Sequence, residues 1–393
     1  MVTITLAAVG DISFARTTES AFRKFGGEHL FRDVADDLGK ADIRFGNQES
    51  VMIPHDFPLT RASGRPLQSS DAVMAALRPL KFDVLNMATN HVLDCGWRGL
   101  LHTAECIRAV GAQAIGAGIN QADARALRVV ERKGVKVGFL GYQQPGTWTL
   151  EGGGGRVAYL RVEDIIQDIR DNQSRVDVLV VSLHVGVEFP EGPSPRRQRL
   201  CREIAEAGAD LVLCHHPHVP QGVERWGDAL IHYSLGNFLF DVGHHQFRAT
   251  PNTARSHIFY VDIEDGRIVR WRRRYFRIEP EYGCPRRIPD QELAEEDGYY
   301  RHLDALVQEP ETLKQMWRQY SLKRLSRYLG EVRKNPSMPA EEFLRVHLKD
   351  VFREVLRDVF VELYDMAHEG YLENAFHDFE YKRPYAPYEE GNP

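Results

Sequence analysis

The chain has few cysteines, no long apolar run and no basic excess, and each absence excludes something. Only five cysteines occur in 393 residues, Cys95, Cys106, Cys201, Cys214 and Cys284. The number is odd and no two stand in the C-x-x-C spacing of a zinc knuckle or redox pair, so they read as free thiols in a reducing compartment. No stretch reaches the ~18 apolar residues that a membrane-spanning helix needs. The opening MVTITLAAVGD is apolar but short and has no basic lead-in, so it reads as a first strand and not as a signal or anchor segment. The expectation is a cytoplasmic protein with no membrane span. Lys and Arg number 50 against 56 Asp and Glu, a net charge of −6, which argues against a nucleic-acid partner.

What is present is globular: 43% of residues are hydrophobic and 27% charged. Strand and helix patterns alternate over the first two-thirds of the chain. Thr3 to Val9, Ile43 to Phe45, Val84 to Met87, Val135 to Gly141, Val178 to Leu183, Leu211 to Leu213 and Ala229 to Ser234 read as strands. VLVVSL is apolar at nearly every position, the mark of a strand covered on both faces. Phe31 to Leu38, Val73 to Leu80, Gly99 to Val110 and Leu200 to Ala207 read as helices. From His257 to Ile278 the pattern predicts a hairpin turning at Asp265-Gly266. An α/β start with a β finish fits two sheets between helices. Arg286 to Asp297 is polar and reads as a linker or loop. Beyond it, helices are expected around Leu313 to Leu329 and from Leu344 to Leu363, giving a first domain over 1–285 and a helical extension over 286–393.

Five separated segments place metal-ligand residue types just after a predicted strand: Asp11, Glu49, Asn90-His91, His184, and His215-His216-Pro217-His218. Ligands gather at the carboxyl ends of strands in layered α/β folds, so these segments can converge. One Asp after a strand is usually a turn residue, and one buried His usually a core residue. The ordered set is harder to place without a function. Carboxylates, an amide oxygen and imidazoles suit Mn, Ca, Zn or Fe. A carboxylate bridging two such ions sets them about 3.5–4 Å apart, and Glu49 is the candidate bridge.

The stretches GDISFAR, GNQES, NMATNHVLDCG, VVSLHVGVEF, GADLVLCHHPHVPQGVE and IHYSLGNFLFD resemble the capsule-synthesis (poly-γ-glutamate, CapA-like) family, a branch of the calcineurin-like metallophosphoesterases. The resemblance runs from about residue 3 to 241 and implies a four-layer α/β/β/α metallophosphoesterase-like sandwich. It also implies roles. Asp11, Glu49 and His218 would hold a first divalent ion, and Glu49, Asn90, His184 and His216 a second. His91 would act as proton donor or oxyanion contact. Ser13 stands where the wider superfamily has a histidine, and either ligates or caps a turn.

Around these, Asp94 is expected to orient His91, Glu188 to orient a ligand or act as a base, and Arg16 and Asn237 to contact substrate. His244 and His245 read as loop histidines. Arg270, Arg272 and Arg274 share a strand face and read as a solvated face or a polyanion contact. The expected activity is a metal-dependent, hydrolase-like reaction on a phosphoester, peptide or polyglutamate-like substrate. Two alternatives stand beside it: a metal-dependent peptide epimerase of the kind that acts on lasso-peptide precursors, and a non-enzymatic polyanion-binding accessory of capsule synthesis.

Overall fold

The computed structural model describes residues 2–57, 66–144 and 156–334. The expected helix from Leu344 to Leu363 and the glycine-rich loop at Gly152 to Gly155 lie outside those residues.

The strands used below are β1 (Thr3–Ile12), β2 (Ile43–Gln48), β3 (Val84–Asn86), β4 (Gln113–Ile115), β5 (Arg128–Arg132), β6 (Val135–Gln143), β7 (Val178–His184), β8 (Leu211–His215), β9 (Val223–Trp226), β10 (Ala229–His232), β11 (Asn237–Leu239), β12 (Arg255–Glu264), β13 (Arg267–Ile278) and β14 (Pro285–Arg287). The first sheet runs β14-β13-β12-β1-β2-β3-β4, with β11 also pairing to β1; the second runs β9-β10-β8-β7-β6-β5. Each has a parallel centre, β1 to β4 in one and β6, β7, β8 and β10 in the other, with antiparallel strands at its margins.

Alternation along the strands builds the layers. Ile4, Leu6 and Ala8 of β1 and Val178 and Val180 of β7 meet in a core between the sheets, with Phe45 stacked on Phe139 at 5.8 Å. Ala7 and Val9 face the other way, under the helix α1 (Thr17–Phe25), a 3₁₀ helix at Asp71–Leu80, and α2 (Gly96–Ala109). Leu179, Val181 and Leu183 lie under α3 (Val162–Asn172) and α4 (Pro195–Glu206). This is the four-layer α/β/β/α sandwich expected from the sequence. Each fully buried Val, Leu, Ile or Phe contributes about 1.5–3 kcal/mol, so the two sheets are held chiefly by this double apolar face.

Local chemistry sets the connections. Ser194 caps α4 by accepting from the Arg197 N–H at 3.2 Å, and Pro195 takes the first helical position. The hairpin of β12 and β13 turns at Asp265-Gly266 as predicted, and φ values of 47° and 77° give both turn residues the left-handed backbone such a tight turn demands.

Two expectations change. Phe31 to Leu38 forms two short helices, Gly27–Phe31 and Ala35–Gly39, and not one. The polar stretch from Arg286 is not a loop. It supplies β14 and runs into α5 (Leu293–Leu306), followed by α6 (Pro310–Lys334). Two acids of α5, Glu296 and Asp304, pair with arginines of the first sheet. Asp304 takes both terminal nitrogens of Arg273, at 2.8 and 2.7 Å, and the Val223 N–H, at 2.8 Å. Glu296 binds Arg255 and Arg277, and Tyr300 meets the His257 ring nitrogen at 3.1 Å. Arg270 and Arg272 pair with Asp262 and Arg274 with Asp37, so each arginine of that strand face has an acidic partner. Among the described residues no helix is long and apolar enough to cross a membrane.

Candidate metal centre

Strand register assembles the centre. Asp11 lies opposite Asn47, and Asn47 opposite Asn86, on three adjacent parallel strands. Their side chains link in that order: Asn86 Nδ2 donates to Asn47 Oδ1 at 2.6 Å, and Asn47 Nδ2 donates to Asp11 Oδ1 at 2.9 Å. In the second sheet His184 lies opposite His215. Asn47 Nδ2 also reaches His184 Nδ1, at 3.2 Å, and so joins the two sheets. All of these residues sit at carboxyl ends of strands, as the sequence requires.

Glu49, one residue beyond β2, is the focus. Its side chain is fully buried and neither carboxylate oxygen has a hydrogen-bond partner. Three imidazoles face Oε1 through Nε2: His218 at 3.8 Å, His91 at 3.9 Å and His184 at 4.0 Å. These gaps are too long for hydrogen bonds. They are slightly wider than the roughly 3–3.4 Å between two donors that share an ion at about 2.1 Å. On the other side, Asp11 Oδ2 stands 3.4 Å from His218 Nδ1, and Asp11 Oδ1 3.4 Å from His215 Nδ1. One ligand atom each from Asp11, Glu49 and His218 lies within 4.8 Å of the others. Asn90 and His216 complete the other flank: His184 Nε2 is 2.8 Å from Asn90 Oδ1, and the His184 and His216 rings are 5.0 Å apart.

Burial and neighbouring charges shift the titrating groups of this cluster. Burial pushes Glu49 well above the usual carboxylate range, and the charges of Asp11, Glu188 and Asp94 push it further. Burial also acts to raise Asp11, but the polar contact with His215, the charges of His218 and His215, and the Asn47 amide outweigh it and leave the group lowered. Burial, followed by neighbouring imidazoles, holds His184 well below its ordinary value. Burial brings His216 down to about 4 against an upward pull from Glu188. The neutral imidazoles and the lowered Asp11 are in the protonation states that ligate metals, whereas Glu49 would have to give up a proton that burial favours.

Backbone strain clusters here too. Arg16, Phe189, His216 and His218 have φ values of 64°, 84°, 96° and 59°. Non-glycine residues held in that region mark places where the surrounding structure imposes the geometry.

The supporting residues sort out clearly. His91 Nδ1 meets Asp94 Oδ2 at 2.8 Å, and the same oxygen accepts from the Leu67 N–H at 2.7 Å, which ties Asp94 to the ring on one side and to the backbone on the other. Glu188 is half-buried and near enough for its charge to act on both Glu49 and His216. Arg16 is exposed at the start of α1. Asn237 corrects the sequence reading: it is fully buried, and its amide donates to the carbonyls of His218 and Thr253. Its Oδ1 meets His218 Nδ1 at 2.9 Å, so it sets the tautomer of that ring from behind and does not face substrate. The Ser13 hydroxyl accepts from the Ala15 N–H at 3.3 Å and caps the turn. The Cys214 thiol packs 3.6 Å from Cys201.

Sequence reasoning gave no role to Asn47 or Asn86, and it placed His215 in the fifth segment without making it a ligand. The signal for the amides was register: each falls near the end of a strand that neighbours one carrying a candidate ligand.

A layered α/β protein with a carboxylate, amide and imidazole cluster at its strand ends belongs to a broad class of metal-site folds, and the sequence narrows the class. The family described as "Bacterial capsule synthesis protein PGA_cap" matches residues 5–242, and the chain belongs to that family. It is 29% identical to the capsule biosynthesis protein CapA of Bacillus anthracis over 254 residues, 61% of this chain and 60% of that one. It is 30% identical to the PGA biosynthesis protein CapA of Bacillus subtilis (strain 168) over 244 residues, 60% of this chain and 63% of that one. The match thus spans under two-thirds of either relative. Among solved structures, a 5'-nucleotidase from Candida albicans SC5314 aligns with a TM-score of 0.39 and 12% identity, over 81% of this chain and 57% of that one. A hypothetical protein from Thermus thermophilus aligns with a TM-score of 0.45 and 13% identity, over 70% of this chain and 99% of that one.

Proposed function

We propose that this chain is a metal-dependent enzyme in which a pair of divalent cations of the Mn, Ca, Zn or Fe group acts on an amide or phosphoester bond of an anionic substrate. One observation carries the reading: Glu49 is buried without a hydrogen bond, and three imidazole nitrogens face the same oxygen. An isolated carboxylate at that depth is strongly unfavourable, and a cation between it and the imidazoles compensates it. Asp11, Glu49 and His218 would hold one ion, and Glu49, Asn90, His184 and His216 the other. Such a pair, when bound, lowers the pKa of water and stabilises charge on an oxyanion.

The protein's own residues do the rest. Asp94 holds the Nδ1 side of His91, which leaves Nε2 to give or take a proton at the centre. The His91 side chain is 29% exposed, the most open of the imidazoles facing Glu49. Glu188 is a second group able to carry a proton. Arg16 is a guanidinium fit to pair with a substrate carboxylate or phosphate. The names of the two relatives, one a capsule and one a PGA biosynthesis protein, make a poly-γ-glutamate-like polymer the first substrate to test.

The experiment is metal analysis of the purified chain joined to turnover of a generic phosphodiester and of γ-glutamyl oligomers with Mn. The reading expects bound divalent ion in the wild type, and loss of both ion and turnover in Glu49→Gln and His216→Ala. A chain that never takes up a divalent ion refutes it. Unimpaired polymer binding with no turnover would shift the assignment to an accessory role, and deuterium uptake at an α-carbon without cleavage would shift it to epimerisation.

A further inference from the structure

A second group of ligand-type side chains lies in the outer helical layer, away from the centre just described. Asp71 opens the 3₁₀ helix at Asp71–Leu80, while His102 and Cys106 stand one turn apart on α2 and so share a face. His102 Nε2 is 3.1 Å from Asp71 Oδ2, and His102 Nδ1 is 3.8 Å from Glu105 Oε2. One ligand atom each from Asp71, His102 and Cys106 falls within 4.8 Å of the other two. The half-buried thiol of Cys106 therefore sits beside an imidazole and two carboxylates.

Two chemistries use a cysteine, a histidine and an acid together. One is a nucleophile with its base. That needs a thiolate, yet burial and the charges of Asp71 and Glu105 push the Cys106 thiol up to about 11, so the group is protonated at neutral pH and a poor nucleophile. The other is a metal site, where the carboxylates that oppose a free thiolate attract the cation that stabilises it. Sulfur, nitrogen and oxygen gathered this closely, with a fourth position for Glu105 or water, are the donor set of zinc. The thiolate also separates this site from the main centre, whose donors are oxygen and nitrogen alone.

We propose that Asp71, His102 and Cys106 form a separate site for one zinc-class divalent cation. Binding replaces the S–H bond of Cys106 with an S–metal bond and releases the proton to solvent. The ion ties the 3₁₀ helix to α2, and the chain between those two elements carries Asn90, His91 and Asp94. The site is thus a clasp across the loop that feeds the main centre.

The test uses the full chain, stripped with a chelator and titrated with cobalt(II), whose bond to a thiolate gives a near-ultraviolet charge-transfer band. The expected result is a band that saturates at about one equivalent per chain. It should vanish in Cys106→Ser, weaken about tenfold or more in affinity in His102→Ala, and persist in Glu49→Gln. Zinc should displace the cobalt and erase the band. Circular dichroism confirms that each variant is folded, and Asp71→Asn offers a mild third variant if one is not. No band in folded wild type, or a band unchanged in Cys106→Ser, overturns the proposal.

Discussion

Removing the charge of Glu49 should stabilise the metal-free protein and destabilise the metal-loaded one. The carboxylate is buried, unpaired and close to Asp11, and burial with those neighbouring charges raises its pKa. A group whose folded pKa lies above its unfolded value opposes folding once the pH exceeds the unfolded value of about 4.3, and the penalty grows up to the folded pKa. At pH 8 without metal, Glu49→Gln should therefore gain about 1.4 kcal/mol for each unit by which the folded pKa exceeds the unfolded one, because the amide has no charge to bury. That corresponds to a few degrees in Tm. With Mn present the order should reverse. The wild type gains about 2.7 kcal/mol when free ion is about 100 times Kd, and the variant gains little. Thermal melts of both proteins after chelator dialysis, then with Mn added, give four Tm values that must cross. If Glu49→Gln melts lower than wild type in both conditions, Glu49 is holding the imidazoles directly and the cation argument fails.

Asn237→Ala should lower metal affinity about 10–100-fold by freeing the His218 ring, read by titration calorimetry on a protein whose circular dichroism is unchanged. His91→Ala should keep its metal yet lose about 10²–10⁴-fold in kcat on any substrate found; equal loss of metal would make His91 a ligand. The metal-free protein should lose stability as pH falls from about 6.5 toward 4, because His216, held down to about 4, stays neutral folded while the unfolded chain takes up the proton. His216→Gln should flatten that loss by up to about 3 kcal/mol in urea unfolding, and an unchanged slope would contradict the burial argument. Gly10→Ala should cost more than about 3 kcal/mol, since a Cβ there collides with the Gly236 carbonyl where β1 and β11 run side by side.

The candidate ligands were legible as a group because oxygen and imidazole donors followed apolar strands, a pattern the chain shows in one dimension. The amides that hold them were not. Asn47 and Asn86 act through cross-strand register, which appears only when strands are paired. Asn237 was misplaced because a Gly-Asn pair after a strand looks the same whether it faces solvent or backs a histidine. The α5 region failed for a different reason. Its polarity suggested a solvated linker, yet Glu292, Glu296, Asp297 and Asp304 meet Arg277, Arg255, Tyr275 and Arg273 on the sheet. Hydropathy reads apolar docking well and does not register docking through charge.

That docking leaves a mark in a single small residue. Gly222 lies directly beneath the Leu303 carbonyl of α5, and any Cβ there would strike it. The position is thus a gauge of whether the late helix lies down on the second sheet. A relative that keeps glycine there retains room for the helix, and one that carries a bulkier side chain has had to route its carboxyl-terminal segment elsewhere.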